Sequence, residues 1–157
     1  MVGVDYIGIG ISFFCHDGAN NFLLHQRSNS CRDEQGSWDF GGGKIEFGED
    51  FEQSALREIY EEYGCVALLQ KQLPPLTFFR EHQGLKTHWV SIGFIAQIDP
   101  GKATLNEPQS MDRIGWFHID MLPHPLHSGC KYRLEKHKQL FLPYVNSGAG
   151  GVRGRKV

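Results

Sequence analysis

The segment from Gly43 to Cys65 has the sequence GKIEFGEDFEQSALREIYEEYGC. Its second part, Phe51 to Tyr63, has the periodicity of a helix, and Gly64 follows it as a C-terminal stop signal. One side of this helix is apolar, and we predict that it packs on a β-sheet. The residues on that side are Leu56, Ile59, Tyr60 and Tyr63.

The acidic residues of the same helix are concentrated on one face. At 100° per residue, Glu58, Glu61 and Glu62 fall within about 100° of arc, and Ser54 shares their face. Like charges four residues apart destabilise a helix by ~0.2–0.5 kcal/mol, so this face costs stability unless a cation lies among the carboxylates. Oxygen ligands of this kind suit Mg²⁺ or Mn²⁺. The alternative is a solvated acidic face on which Arg57 relieves Glu61.

The composition places the chain among ordinary globular proteins. It has 157 residues, of which 40% are hydrophobic and 22% charged, which excludes disordered, collagen-like and coiled-coil proteins. The net charge of −2 excludes a general polyanion binder. The range from Lys44 to Glu62 carries seven acids and two bases, so the rest of the chain is slightly basic around one acidic focus.

Neither a membrane span nor a zinc site is predicted. The longest apolar stretch, Tyr6 to Cys15, is shorter than the ~20 residues that a bilayer requires, and no signal peptide is recognisable. The four cysteines are far apart and form no C-x-x-C pair, which argues against a zinc or thioredoxin-like motif. The expectation is reduced thiols in a cytoplasmic protein. His124 and His127 are the closest histidine pair, but no cysteine or acid adjoins them.

Strands dominate the rest of the chain, with a second helix near the end. This pattern predicts an α+β or layered α/β/α fold, with one domain over residues 1–146 and a glycine-rich basic tail over 147–157. The expected strands are Val4–Phe14, Phe22–Arg27, Leu76–Arg80, His88–Ile98 and Ile114–His118, and the expected closing helix is Tyr132–Leu142.

The spacing within the opening segment is more specific than its helix pattern. Gly43 is followed after five residues by Glu49, and after seven more by the run REIYEEYGC. This resembles the Nudix box, and the chain resembles a MutT-like Nudix hydrolase over most of its length. The resemblance implies a mixed β-sheet between helices, with a catalytic loop and helix at residues 43–64. Two residues depart from the usual pattern: Cys65 replaces an aliphatic residue, and Gly41 replaces a proline, which we expect to loosen the loop.

The resemblance also implies roles for individual residues. The implied ligands of Mg²⁺, or of Mn²⁺ as a substitute, are the carbonyl of Gly42 and the carboxylates of Glu58, Glu61 and Glu62. Glu58 is the usual candidate for polarising the attacking water, and Glu107, in a loop outside the box, is the alternative base. Arg57 and Glu49 are expected to form an ion pair that orients the loop against the helix.

The substrate is less constrained than the reaction. The resemblance implies hydrolysis of a nucleoside diphosphate linked to a group X, and the main hypothesis is a nucleoside triphosphate pyrophosphatase that yields a monophosphate and pyrophosphate. A nucleotide-sugar or ADP-ribose hydrolase is the alternative, because Thr87–Val90 resembles a segment of GDP-mannose hydrolases. A non-catalytic nucleotide sensor is disfavoured, since all the carboxylates of the box are present. A role at RNA 5′ ends is suggested only by the basic tail.

The expected partner is therefore a small nucleotide rather than a membrane or a nucleic acid, and the resemblance allows a homodimer. Phe79, Trp89 and Trp116 are candidates for stacking on a base, although core packing is the default expectation for strand aromatics.

Overall fold

The computed structural model describes residues 1–145, so the glycine-rich tail lies outside the described residues. The first four strands are β1 (Gly8–His16), β2 (Asn21–Arg27), β3 (Trp38–Asp39) and β4 (Gly42–Lys44). Helix α1 (Phe51–Tyr63) follows, and then β5 (Ala67–His82), β6 (Leu85–Ile98) and β7 (Met111–His118). The described chain closes with α2 (Ser128–His137), a 3₁₀ turn (Lys138–Leu140) and α3 (Leu142–Val145).

The seven strands form one mixed sheet. Five of them follow the order β3-β2-β1-β6-β5, while β4 pairs with β1 and β7 pairs with β2. The pairing of β1 with β6 is parallel, from Gly8 opposite Trp89 to His16 opposite Gln97. The pairings of β1 with β2, β1 with β4 and β5 with β6 are antiparallel.

Each face of the sheet carries its own apolar core. Side chains alternate along β1, so Phe13 contributes to the core beneath α1 and Phe14 to the opposite one. The first core includes Ile59 and Tyr63 of α1, whereas the second includes Phe141 from the C-terminal region. The predicted layered arrangement, a mixed sheet between helices, is confirmed.

Helix α1 has the bounds that the sequence predicts. Asp50 caps its N-terminus in a reciprocal capping box with Gln53, and Gly64 ends it with a left-handed backbone, φ 66°. The predicted apolar side is only partly correct, however. Leu56 and Tyr60 are 41% and 59% exposed, because the buried stripe is centred closer to the acidic face. The buried residues are Ser54, Ala55, Ile59, Glu62 and Tyr63.

Six other elements differ from their predicted bounds. Strands β2, β6 and β7 begin one to three residues earlier than predicted and end as predicted. The other three, β1, β5 and α2, differ more. Strand β1 begins at Gly8 instead of Val4, because the preceding residues form turns and the Gly3 carbonyl accepts from the His88 amide. Strand β5 begins at Ala67 and continues through two prolines, which its pairing accommodates by a register shift between Leu73 and Leu76.

The closing helix begins at Ser128 and ends at His137, earlier at both ends than predicted. His127 caps it, since its side chain accepts from the Gly129 amide. Within residues 1–145, no helix has the length and hydropathy to cross a membrane.

Candidate active site

Arg57 ties the loop before α1 to the helix. Its Nε and Nη2 donate to the two carboxylate oxygens of Glu49 at 2.6 and 2.9 Å, and Nη2 also donates to the Lys44 carbonyl at 3.0 Å. The two hydrogen bonds from Arg57 to Glu49, together with one from the Glu46 amide, lower the pKa of Glu49 to about 2. The predicted ion pair is therefore present as a two-pronged contact, which fixes orientation as well as charge.

The same guanidinium faces two of the acidic residues. Its Nη1 donates to Glu58 at 3.0 Å and to Glu61 at 3.1 Å. The Glu58 carboxyl lies directly against Gly43, where an added Cβ would overlap it. Burial raises the pKa of Glu58, and the neighbouring charges of Glu61 and Glu107 add to that effect. One arginine therefore does not compensate the acids around it.

Glu62 is the most buried of the acids, with 5% of its surface exposed. Its Oε1 accepts from the Gly42 amide at 3.2 Å, but its Oε2 is buried without a hydrogen-bond partner. His25 Nδ1 is 3.8 Å from that oxygen, yet burial lowers the pKa of His25, so it is neutral at pH 7 and supplies no charge. Burial raises the pKa of Glu62 well above its usual value.

These carboxylates fit a divalent cation. A buried carboxylate oxygen without a donor carries a desolvation cost that a bound cation removes. The acids are oxygen ligands, and they meet at a loop where glycines allow close approach. Glu58, Glu61 and Glu62 are therefore the residues that could hold Mg²⁺ or Mn²⁺.

Comparisons with known proteins agree with this arrangement. The family profile described as NUDIX domain matches residues 7–136. The chain belongs to the Nudix family. The matched range contains every strand, the loop and the acidic helix, so the resemblance inferred from the box extends to the fold.

Individual relatives of this Nudix chain are distant. It is 32% identical over 78 residues to the NAD-capped RNA hydrolase NudC of Actinobacillus succinogenes, a stretch covering 50% of this chain and 27% of NudC. The chain therefore matches about a quarter of that relative's length.

The structural neighbours match over more of the chain. A MutT NUDIX hydrolase from Burkholderia pseudomallei is similar at 27% identity and a TM-score of 0.69, over 83% of this chain and 98% of that one. A MutT protein from Methanosarcina mazei is 21% identical with a TM-score of 0.69, over 85% and 94% of the two chains, and shows the fold alone.

Glu107 lies near the Nudix box in space although it is distant in sequence. Its charge raises the pKa values of both Glu58 and Glu62, and its Oε2 accepts from the Ser110 hydroxyl at 3.0 Å. The structure thus brings all six predicted acidic and basic site residues together beside α1, along with the backbone of Gly42. Their roles remain predictions.

Gly41, at the position where a looser loop is expected, has a backbone conformation that favours glycine. Its φ of 127° is a conformation that proline cannot adopt, and a Cβ at this position would overlap the Phe13 ring. Glycine replaces the usual proline at this position because the backbone here has a positive φ and there is no room for a side chain.

A cavity of about 250 Å³ lies on the other side of the glycine loop, and sequence reasoning did not find it. Its wall includes Trp89, whose indole packs against Gly3 and Gly8, where any Cβ would overlap the ring. Phe78 stands opposite Trp89 in the β5–β6 pairing and lines the same cavity. Its basic lining residues are Arg32, Arg80 and Arg133.

The three aromatic candidates have different environments. Trp89 lines the cavity, while Trp116 packs against the core beneath α1. Phe79 is 76% exposed and contacts His88 with ring centroids 4.3 Å apart, on the strand face away from Phe78. The expectation of core packing is therefore met by Trp116 and is wrong for Phe79.

The sequence does not predict a zinc site, but the fold places an acid and a cysteine beside His127. His127 Nδ1 lies 3.6 Å from Asp39 Oδ2, and Cys130 Sγ lies 2.9 Å from Asp39 Oδ1. Cys130 is close to His127 in sequence as well as in space, whereas Asp39 is distant in sequence and reaches His127 only because the chain folds. A possible sequence signal is the spacing of His127 and Cys130 across the start of α2.

Proposed function

We propose that this protein hydrolyses nucleoside triphosphates to a nucleoside monophosphate and pyrophosphate, with Mg²⁺ or Mn²⁺ as cofactor. The observation that carries the proposal is the cluster of Glu58, Glu61 and Glu62, with the partnerless buried oxygen of Glu62, beside a glycine loop. The similarity to a MutT NUDIX hydrolase over 98% of that chain supports a MutT-like Nudix hydrolase as the class of enzyme.

The carboxylates of the box would hold the metal, with the Gly42 carbonyl as a further ligand. Bound divalent ions neutralise a diphosphate and lower the pKa of a coordinated water. Arg57 acts as a positioning residue, because it links Glu49 of the loop to Glu58 and Glu61 of the helix. A displaced loop would disturb the geometry that in-line attack on phosphorus requires.

Two acids are candidates for removing the proton of the attacking water. Glu58 lies against the glycine loop, and Glu107 approaches the same carboxylates from the loop before β7. Either would accept a proton as the oxygen attacks phosphorus, and pyrophosphate would leave with the electrons of the broken P–O bond.

The cavity beside the loop is suited to the nucleoside. Trp89 offers an aromatic surface, with Lys44 Nζ 5.9 Å from its ring centroid. The basic side chains of Arg32 and Arg80 line the same cavity and could approach the acceptor atoms of a base or ribose.

The test is a product screen with Mg²⁺ on the full chain. The panel contains the NTPs and dNTPs, oxidised dNTPs, ADP-ribose, GDP-mannose, diadenosine polyphosphates and triphosphorylated RNA. We expect a monophosphate and pyrophosphate in equal amounts from one or more triphosphates. Turnover confined to a sugar diphosphate would establish the nucleotide-sugar alternative, and turnover confined to RNA would establish the 5′-end alternative.

Two variants assign the activity to the site. Glu58→Gln and Glu62→Gln preserve side-chain size, so we expect folded proteins that have lost most turnover. Near-wild-type kcat in either variant contradicts its assignment. Glu52→Gln, in the exposed first turn of the same helix, is the matched control and should retain full activity.

A further inference from the structure

The cluster of Asp39, His127 and Cys130 combines three types of metal-binding atom. A carboxylate, an imidazole and a thiol contribute oxygen, nitrogen and sulfur, and one such atom from each residue lies within 4.8 Å of the others. Magnesium does not select sulfur or imidazole ligands, whereas zinc binds all three types. This set is therefore chemically different from the carboxylates on α1.

We propose that Asp39, His127 and Cys130 form a second metal site, selective for Zn²⁺, on the wall of the cavity beside the glycine loop. All three residues line that cavity, so the protein provides three ligands and leaves a fourth position facing the open space. Three protein ligands with one open position is the arrangement of zinc sites that also bind an exogenous ligand.

The distances require only small movements. Zinc bonds of about 2.0–2.3 Å place tetrahedral ligand atoms about 3.3–3.6 Å apart. Asp39 Oδ2 and His127 Nδ1 are already 3.6 Å apart, and Asp39 Oδ1 is 2.9 Å from Cys130 Sγ. Separation of the last pair by about half an ångström, with rotation of the carboxylate, gives this spacing between Asp39 and each partner. The ligand atoms of His127 and Cys130 lie within 4.8 Å of each other and must approach by up to about 1.4 Å.

The secondary structure holds these ligands in place. Asp39 ends the short strand β3, His127 caps α2, and Cys130 lies in the first turn of that helix. The Trp38 amide donates to the Pro125 carbonyl, and the His127 amide donates to the Trp38 carbonyl, which fastens the segment before α2 to β3. Burial and the Asp39 carboxylate raise the pKa of the Cys130 thiol well above its usual range, so the thiolate forms only together with the bond to a cation.

Zinc binding through the single lone pair of His127 Nδ1 replaces the 3.2 Å hydrogen bond that this atom accepts from the Gly129 amide. The groups on the other side of the ring match a metal-bound histidine. A histidine that binds zinc through Nδ1 carries its proton on Nε2 and usually donates it to a carboxylate. Glu34 Oε1 lies 3.5 Å from His127 Nε2. Arg80 Nη2 also lies 2.8 Å from Nε2. The two hydrogens of Nη2 have two other acceptors within reach, Glu34 Oε1 at 2.8 Å and Ser128 Oγ at 2.9 Å. Donation to those two oxygens frees Nε2 for the proton after a small shift of Arg80.

Binding has a defined proton balance. The Cys130 thiol donates to Asp39 in the structure, and its proton passes to solvent when a sulfur–metal bond forms. Asp39 contributes an ionised carboxylate: its pKa lies well below the usual range despite its burial, with the Arg27 guanidinium 3.4 Å away and the Cys130 thiol as a hydrogen-bond donor. One proton is therefore released for each Zn²⁺ bound, and affinity rises with pH while the thiol titrates.

The experiment uses Co²⁺ and Zn²⁺ with the full chain in excess Mg²⁺, which occupies the oxygen-rich site on α1. We expect one equivalent of Co²⁺ to give a thiolate-to-metal charge-transfer band in the near ultraviolet. The band should disappear when Zn²⁺ is added, and metal analysis after dialysis should find one zinc per chain. These measurements need no substrate, so they are independent of the proposed hydrolysis.

Variants distinguish this site from others in the chain. Cys130→Ser should abolish the band, His127→Ala should abolish tight zinc binding, and Glu34→Gln should weaken it by about 10–100-fold. Cys31→Ser removes a cysteine outside the cluster and should change neither result, and Glu62→Gln should leave the band intact. Circular dichroism checks that each variant is folded.

The proposal is refuted if wild-type protein gives no thiolate band, or if the band persists in Cys130→Ser. It is also refuted if zinc binding is lost in Glu62→Gln but retained in Cys130→Ser, because the metal would then belong to the acidic helix.

Discussion

Substitution of Gly43 by alanine tests how closely the loop and the acidic helix must approach. A methyl group at this position overlaps the Glu58 carboxyl carbon and both of its oxygens. Non-bonded carbon contacts are optimal at about 3.5–4.0 Å, so the carboxylate must move by roughly 1 Å or more. Gly43 is not among the residues with a positive φ, so its backbone accepts alanine and the fold should survive.

The expected effect is a loss of function without a comparable loss of stability. A misplacement of about 1 Å at a catalytic group costs on the order of 100-fold, which corresponds to ~2.7 kcal/mol in the activation barrier. We therefore expect kcat/KM of Gly43→Ala to fall about 100-fold, and its affinity for Mg²⁺ to fall with it.

Steady-state kinetics on whichever substrate the product screen identifies, together with urea unfolding, measure the two quantities. The matched control is Gly101→Ala, where a methyl group meets only Asp99 Oδ1 at 3.3 Å. A folded Gly43→Ala protein with kcat/KM within about threefold of wild type would refute the reasoning, because the position of Glu58 against the loop would then not matter.

Three further predictions concern groups around the same site. Burial raises the pKa of Glu62, so the folded protein binds this proton more tightly than the unfolded chain does. In the absence of metal, the free energy of unfolding should therefore fall as the pH rises above about 4.5, until the carboxyl group of the folded protein ionises. Glu62→Gln should flatten that decline in urea titrations with EDTA, and an unchanged slope would contradict it. Glu107→Ala should lower kcat by about 10²–10⁴-fold if this residue is the general base, whereas unchanged kcat removes it from the site. The buried Tyr63 hydroxyl donates to the Phe40 carbonyl at 2.6 Å, so Tyr63→Phe should destabilise the fold by about 1–3 kcal/mol. Its control, Tyr60→Phe on the exposed side of the helix, should have a free energy of unfolding within about 0.5 kcal/mol of wild type.

Apart from Glu107, the catalytic and metal-site residues that the sequence identified belong to one short, locally ordered segment, residues 42–62. The acids of α1 share a face because of helical periodicity, and Gly64 ends the helix with a left-handed backbone whose amide donates to the Tyr60 carbonyl one turn earlier. The pairing of Arg57 with Glu49 spans only eight positions. Such features depend on local geometry, so the sequence was sufficient to predict them.

The direction in which a side chain points was harder to predict. Phe78 and Phe79 are adjacent and chemically identical, yet one lines the cavity and the other is 76% exposed. A strand alternates its faces, so only its register against β6 decides which side chain enters the cavity. The burial of Glu62, likewise, depends on how α1 rotates against the sheet.

The sequence by itself determined the family, the acidic helix and the ion pair that holds its loop. Only the tertiary structure decided that Trp89 lies across Gly3 and Gly8, and that Asp39 meets Cys130, 91 positions away. The physical reason is range: helix periodicity and capping act over a few residues, whereas strand pairing and helix docking join segments whose separation in sequence carries no information about their distance in space.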